Sequence, residues 1–152
     1  MAEAVNQDRF AALRLDNQLC FPLYAASREI IRMYRPYLEE LDLTYTQYIT
    51  MMVLWEEREI SVKQLGKRLY LDSGTLTPLL KSLEAKGCVK RTRCETDERI
   101  VLIRLTETGA ALQEKALSVP AAMQSCVRLS REEAELLYKL LYKLLAEDRE
   151  FS

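Results

Sequence analysis

Histidine is absent from this chain. Its absence excludes catalysis that relies on imidazole, and zinc or haem sites that need an imidazole ligand. Glycine and proline are scarce, at four residues each, which argues against a disordered or collagen-like protein. No apolar run reaches the roughly 18 residues of a membrane helix, and the N-terminal segment is polar, unlike a signal peptide. We therefore expect a cytoplasmic protein without membrane association.

The cysteines show no pattern of a metal centre. Cys20, Cys88, Cys94 and Cys126 form no CxxC pair and no cluster with ligand spacing. In a reducing compartment they are expected to be free thiols, since 152 residues of which 49% are apolar bury a core without disulfides. We expect one compact unit with no metal and no cofactor.

The basic residues are concentrated in the middle of the chain. Residues 61–106 contain ten Lys or Arg against five Asp or Glu, a net charge of +5. Because the whole chain carries −1, the remainder carries −6. A basic centre between acidic ends indicates a DNA-facing module within a scaffold that does other work.

Capping signals mark the helix starts. S/T-x-x-E/Q boxes occur at 44–47, 61–64 and 130–133. Apolar spacing predicts helices over 22–41, 46–57, 62–70 and 74–86. Pro36 predicts a kink or an early stop in the first helix, Pro78 is acceptable in the first turn of the fourth, and Gly87 ends that helix in a left-handed conformation.

Residues 71–73 form a short turn between the third and fourth helices, as in a helix-turn-helix. After Gly87 the apolar period becomes two, which predicts a β-hairpin over 89–93 and 99–105 with a charged turn at 94–98. Thr106 then caps a fifth helix that Pro120 interrupts, and a last helix covers 132–146. The predicted fold class is mainly α with a small β-hairpin, a winged helix-turn-helix.

The last helix has a wide apolar stripe that favours a dimer interface over a monomeric core. We accordingly divide the chain into residues 1–45, an N-terminal part of the dimerisation region, residues 46–106, the DNA-binding region, and residues 107–152, the C-terminal dimerisation helices. A two-fold homodimer presents paired recognition helices to an inverted-repeat site on double-stranded DNA. The stripe consists of Leu136, Leu137, Leu140, Leu141, Leu144 and Leu145.

Side-chain chemistry indicates which residues contact DNA. Small hydroxyls at the start of the fourth helix suit base edges or phosphates, and a lysine further along suits the backbone. Arginine at the base of the hairpin suits the minor groove, and the first hairpin strand supplies phosphate contacts. Each basic residue alone is equally explained as an ordinary solvated charge. These residues are Ser73, Thr75, Thr77, Lys81, Lys90, Arg91, Arg93 and Arg99.

Two sets of motifs carry a family resemblance. Residues 71–80 (LDSGTLTPLL), 97–99 (DER, with Asp97) and 105–109 (LTETG) resemble the winged-helix core of the MarR family of transcriptional regulators. Residues 15–21 (LDNQLCF), with Tyr24, Tyr34 and 43–48 (LTYTQY), are similar to its organic-hydroperoxide-sensing branch, the OhrR type. The resemblance implies a dimeric repressor that leaves DNA when Cys20 is oxidised by an organic hydroperoxide or hypochlorite.

The resemblance also implies roles around Cys20. Tyr34 and Tyr45 of the other subunit donate hydrogen bonds to its thiolate, and Cys126 resembles the resolving cysteine of the two-cysteine subtype. Apart from the family, a reactive thiol needs a lowered pKa. If Pro22 marks the first turn of the first helix, Cys20 lies at the positive end of that helix, with Tyr24 one turn away. The tyrosines and Cys126 are also explicable as core residues, and Cys88 and Cys94 are interpreted as bystanders.

Other functions fit the same residues. A thiol peroxidase would use Cys20 catalytically, although nothing in the sequence regenerates the thiol. A MarR-type repressor induced by a non-redox aromatic ligand would retain Cys20 as a core residue. An activator or a protein-binding winged helix is a third alternative. We favour the redox repressor, which is not an enzyme.

Overall fold

The computed structural model describes residues 9–145. Two short 3-10 turns, Ala11–Leu13 and Leu15–Asn17, precede the first helix. The helices are α1 (Cys20–Glu39), α2 (Tyr45–Glu57), α3 (Val62–Leu69), α4 (Ser73–Ala85), α5 (Glu107–Ala116), α6 (Ser118–Cys126) and α7 (Arg131–Leu145). The strands are β1 (Glu59–Ser61), β2 (Val89–Arg93) and β3 (Val101–Leu105).

The predicted winged helix-turn-helix is confirmed. α3 and α4 are the two helices of the motif, and β2 pairs with β3 in the antiparallel hairpin that follows. The sheet has a third strand that we did not predict, since β1 pairs with the other edge of β3 in the order β1-β3-β2. Three residues are too few to show the alternation of apolar and polar side chains that predicts a strand. β1 is a strand because it forms backbone hydrogen bonds with β3.

The predicted caps are confirmed. Thr44, Ser61, Thr106 and Ser130 each accept a hydrogen bond from the backbone N–H three residues later. Gly87 has a φ of 73° after the end of α4, as expected for a left-handed C-terminal residue.

One cap was missed. Asp72 Oδ1 accepts a 2.8 Å hydrogen bond from the backbone N–H of Thr75, so α4 begins at Ser73, one residue earlier than predicted. That bond lowers the pKa of the Asp72 carboxyl group.

Near the prolines, the helices differ from those predicted. α1 continues through Pro36 to Glu39, so the early stop was wrong. Pro78 is the sixth residue of α4 and lies in its second turn, not its first, where the helix forgoes one backbone hydrogen bond. The break in the fifth helix falls at Leu117, before Pro120, because a proline ring clashes with the carbonyl group four residues earlier. Pro120 itself lies in the first turn of α6, a tolerated position.

The core of the domain lies between α2, α3, α4 and the sheet. α5 is held against this core by Trp55, whose Nε1 donates a 2.9 Å hydrogen bond to the carbonyl oxygen of Gly109. A Cβ atom at Gly109 would lie 2.1 Å from the carbonyl oxygen of Cys88, so only glycine allows this close approach. The fully buried residues include Leu54, Leu65, Leu76, Leu80, Leu83 and Ile103.

Both ends of the described chain carry uncovered apolar side chains. Leu13 and Leu19, before α1, are 78% and 74% exposed. All six leucines of the predicted stripe on α7 are exposed in the single chain, so they form no monomeric core. Residue 146, the predicted end of that helix, lies outside the described residues. Among residues 9–145, no helix is long and apolar enough to cross a membrane.

Candidate functional site

The first candidate surface is the exposed face of α4. Ser73, Thr75, Thr77 and Lys81 all lie there and are exposed. The Thr75 hydroxyl lies 3.3 Å from Asp72 Oδ2, and the Thr77 hydroxyl donates a 2.8 Å hydrogen bond to the carbonyl oxygen of Ser73. The structure therefore brings the predicted hydroxyl groups and the lysine together along one helix, with their hydroxyl oxygens able to accept further hydrogen bonds.

The wing strand β2 divides its basic residues between two environments. Lys90 and Arg93 are exposed, and Arg93 Nη1 donates a 2.8 Å hydrogen bond to the carbonyl oxygen of Glu98. Arg91 is half-buried, and its backbone N and Nε bind the two carboxylate oxygens of Glu84 at 3.1 and 2.8 Å. These bonds lower the pKa of Glu84. Arg91 thus links the wing to α4, a structural role that was not predicted for it.

The turn of the wing holds Arg99 outward. Asp97 Oδ1 accepts hydrogen bonds from the backbone N and from Nε of Arg99, both at 3.1 Å. The Arg99 side chain remains 91% exposed, and it lowers the pKa of Asp97. This arrangement presents a guanidinium group at the edge of the wing, as minor-groove contact requires.

Other basic residues of the charged centre differ in their partners. Arg68 bridges Glu56 and Glu57, and Arg104 pairs with Glu59, so these arginines link structural elements. Lys63 and Lys67 are exposed on α3, and no DNA contact was predicted for either of them.

Cys20 is the first residue of α1 and is exposed. The preceding residue, Leu19, makes no side-chain cap, so the N–H groups of the first turn face the thiol end of the helix. Such groups favour an anion at that position. Tyr24 lies one turn further on, and its hydroxyl oxygen accepts a 2.9 Å hydrogen bond from Arg28 Nη1.

Tyr34 and Tyr45 form a ring pair with centroids 4.9 Å apart, and Tyr48 lies 5.9 Å from Tyr34. Burial raises the pKa of Tyr34 and of Tyr45, and for Tyr34 the neighbouring Tyr45 and Tyr48 raise it further. Their hydroxyl groups are therefore protonated at neutral pH and available as donors. The structure brings together the two tyrosines that the family resemblance named.

Cys20 and this tyrosine pair lie at opposite ends of α1. Tyr34 follows Cys20 by 14 residues of continuous helix, which corresponds to about 21 Å along the axis. Within one chain the thiol and the tyrosine hydroxyls therefore do not meet. An open groove of about 820 Å³ runs between them along α1, with Phe21, Tyr24 and Tyr45 in its lining.

The remaining thiols differ in environment. Cys126 ends α6, with Sγ 3.8 Å from the Tyr37 hydroxyl, a neighbour that the sequence analysis did not identify. Tyr37 follows Tyr34 by three residues and so shares its helix face, but its contact with Cys126 depends on the packing of α1 against α6. Cys88 is buried, which raises the pKa of its thiol. Cys94 lies 3.2 Å from the Thr96 hydroxyl, and this hydrogen bond lowers the pKa of its thiol.

Comparison with known proteins assigns the family. Residues 32–116 match the family model described as "Transcriptional regulator SarA/Rot". The chain is 48% identical over 139 residues to the organic hydroperoxide resistance transcriptional regulator of Bacillus subtilis strain 168, covering 91% of this chain and 95% of that protein. The chain belongs to the MarR family of transcriptional regulators, in its organic-hydroperoxide branch.

Solved structures of MarR-family proteins share its fold. AbfR of Staphylococcus epidermidis, in its reduced form bound to DNA, is 39% identical with a TM-score of 0.72, covering 87% of this chain and 94% of AbfR. A cysteine-to-serine variant of Escherichia coli MarR, in complex with operator DNA, is 31% identical with a TM-score of 0.74, covering 81% and 90%. AbfR is also known in an overoxidised form on DNA and in a disulfide form.

Proposed function

We propose that this MarR-family chain is a cytoplasmic homodimeric repressor that binds an inverted-repeat operator and releases it when an organic hydroperoxide oxidises Cys20. Hypochlorite is a second candidate oxidant of the same thiol. The separation of Cys20 from the Tyr34–Tyr45 pair along α1 carries the proposal. A thiol at one end of a helix and its donors at the other form complete sites only when two copies of α1 pack antiparallel.

The dimer follows from the uncovered apolar surfaces. Exposed leucines before α1 and along α7 are costly in a monomer, and burial of this area against a second copy stabilises a two-fold dimer. Residues 1–45 and 107–152 then form the dimerisation region, and residues 46–106 the DNA-binding region.

DNA contact is assigned to α4 and the wing. The α4 residues Ser73, Thr75 and Thr77 face base edges and phosphates in the major groove, with Lys81 on the backbone. On the wing, Asp97 orients Arg99 toward the minor groove. Lys90 and Arg93 bind phosphates, and Arg91 supports the strand through Glu84 while its remaining guanidinium N–H groups face the backbone.

Sensing starts at the thiolate of Cys20. The thiolate sulfur attacks the terminal peroxide oxygen as the O–O bond breaks, which gives a sulfenic acid and an alkoxide. The alkoxide takes up a proton from solvent and leaves as an alcohol. The hydroxyl groups of Tyr34 and Tyr45 from the partner subunit stabilise the thiolate, with Tyr24 assisting. The larger oxidised group disturbs this site at the dimer interface, and the two recognition helices lose the spacing that matches the operator. Cys126 of the partner subunit is the proposed resolving thiol.

The groove along α1 favours a second candidate, a repressor induced by a non-redox aromatic acid. Phe21 and Tyr24 supply apolar walls and Arg28 and Arg35 supply positive charge, which suit a ring and a carboxylate. The thiol peroxidase alternative receives no comparable support, since the curated relatives are transcriptional regulators.

The test is binding to a duplex from the region upstream of its own gene, measured by fluorescence anisotropy at fixed salt, with and without cumene hydroperoxide. Release of the wild type with retention of Cys20→Ser supports the redox repressor. Induction of both proteins by an aromatic acid favours the second candidate. If peroxide releases neither protein, the sensor assignment is wrong.

A further inference from the structure

The contact between Tyr37 and Cys126 has a defined direction. The Tyr37 hydroxyl oxygen lies 3.8 Å from Cys126 Sγ, where α1 packs against α6. Sγ also lies 3.4 Å from the carbonyl oxygen of Ala122, which can only accept a hydrogen bond. The thiol hydrogen is therefore directed to Ala122, and the Tyr37 hydroxyl is the donor to sulfur.

Helix geometry places this contact beside the sensing tyrosines. Tyr37 follows Tyr34 by three residues on α1, so the two rings lie on one face and about one turn apart. Tyr37 is 17 residues from Cys20, or about 25 Å along the helix axis. Cys126 therefore does not reach Cys20 of its own chain. A Cys20 thiol of the partner subunit docked at Tyr34 and Tyr45 would meet α1 about one helical turn from Tyr37, the residue that contacts Cys126.

We propose that Tyr37 is a positioning residue for Cys126, which orients the Cys126 sulfur toward Cys20 of the partner subunit and favours its thiolate during formation of an intersubunit disulfide. This inference rests on the proposed function, because it requires that Cys20 be oxidised first. The contact with Cys126 raises the pKa of Tyr37, so the hydroxyl remains a donor at neutral pH.

Formation of the disulfide consumes two thiols and one molecule of hydroperoxide. Oxidation leaves a sulfenic acid on Cys20 of the partner subunit and an alcohol. Cys126 loses its proton to solvent, and its thiolate attacks the sulfenic sulfur. The S–S bond forms as the S–O bond breaks, and the departing hydroxide takes up a proton to become water. Tyr37 favours the deprotonation of Cys126, because it donates a hydrogen bond to the negative charge that develops on the sulfur.

The experiment compares Tyr37→Phe with the parent protein, both in a Cys94→Ser background that removes the exposed wing thiol. Cumene hydroperoxide is added in two parallel reactions from pH 5 to 9. In one, sulfenic acid is trapped with dimedone; in the other, without dimedone, the disulfide-linked dimer is quantified on non-reducing gels. We expect an unchanged rate of sulfenic acid formation and a disulfide rate reduced about tenfold at pH 7. The midpoint of the pH profile of disulfide formation moves up by about one unit.

A second measurement is independent of the disulfide. In the Cys20→Ser, Cys94→Ser protein, alkylation of Cys126 by iodoacetamide reports its thiolate, and Tyr37→Phe is expected to shift that profile upward as well. Tyr138→Phe, which removes an exposed hydroxyl on α7, is the matched control and shifts neither profile.

A disulfide rate that is unchanged, or that falls without a shift in midpoint, overturns the inference. An intersubunit disulfide that forms without Cys126 also overturns it, while the sensor function stands. If the parent protein forms no sulfenic acid, the proposed function itself fails.

Discussion

The side-chain amide of Gln47 donates a 3.0 Å hydrogen bond from Nε2 to the hydroxyl oxygen of Ser82, and this bond joins the start of α2 to the recognition helix α4. Gln47 is only 6% exposed. Its Oε1 accepts hydrogen bonds from the backbone N–H of Thr44 at 3.0 Å and from Lys86 Nζ at 3.4 Å. Gln47, two positions after Tyr45, thus links the start of α2 to α4 through polar contacts.

We expect Ser82→Ala to lower the free energy of unfolding by about 1–3 kcal/mol, because the buried Gln47 amide loses its acceptor. Urea unfolding at one fixed protein concentration measures the change. Ser118→Ala is the control, since the Ser118 hydroxyl is exposed and bonds only to the preceding turn, at Lys115. Equal effects of the two substitutions would show that the Gln47–Ser82 bond contributes nothing.

The Tyr34–Tyr45 pair leads to a prediction about thiol reactivity. Tyr34→Phe combined with Tyr45→Phe removes the two hydroxyl groups proposed to stabilise the Cys20 thiolate of the partner subunit. The reaction of Cys20 with cumene hydroperoxide should therefore slow about tenfold or more. Stopped-flow kinetics measure the rate, with Tyr142→Phe as the control. A reaction rate that matches the wild type would exclude these tyrosines from the site.

The exposed lysines of α4 and the wing predict a salt dependence. Lys81→Met and Lys90→Met each remove a proposed phosphate interaction from both subunits of the dimer. The slope of log affinity against log salt should become shallower by about one for each lysine–phosphate interaction removed, equally for operator and unrelated duplexes. Fluorescence anisotropy at a series of salt concentrations measures it. Lys139→Met on α7 should leave the slope unchanged, and a sequence-dependent loss of affinity would contradict the assignment.

The Glu84–Arg91 pair predicts a dependence of stability on pH. Arg91 lowers the pKa of Glu84, so the folded state favours the ionised carboxylate. The stabilisation is therefore present above the pKa of the unfolded chain, about 4.3, and is lost as the pH falls through the lower folded value. Glu84→Gln should reduce the urea midpoint at pH 7, and the difference from wild type should shrink toward pH 3. Glu95→Gln, on the exposed wing turn, is the control; a difference that is constant with pH would contradict the prediction.

Local signals predicted much of the fold. The capping boxes at Thr44, Ser61 and Ser130 depend only on residues three positions apart. The left-handed conformation of Gly87 depends only on the residue type. Both features could therefore be predicted from the sequence. The strand β1 was missed because three residues carry no periodicity, and its hydrogen bonds come from β3. The break at Leu117 was displaced from Pro120 because the proline ring acts on a carbonyl group one turn earlier.

The sequence by itself determined the helices, the wing, the basic centre and the residue types of the candidate sites, since these depend on spacing and composition within short segments. The tertiary structure decided which of those residues meet. It paired Arg91 with Glu84, packed the tilted rings of Tyr34 and Tyr45 together, and placed Tyr37 against Cys126, contacts between elements that only packing brings together. The separation of Cys20 from Tyr34 by about 21 Å, in contrast, follows from α1 alone, because a continuous helix fixes the distance between two of its residues.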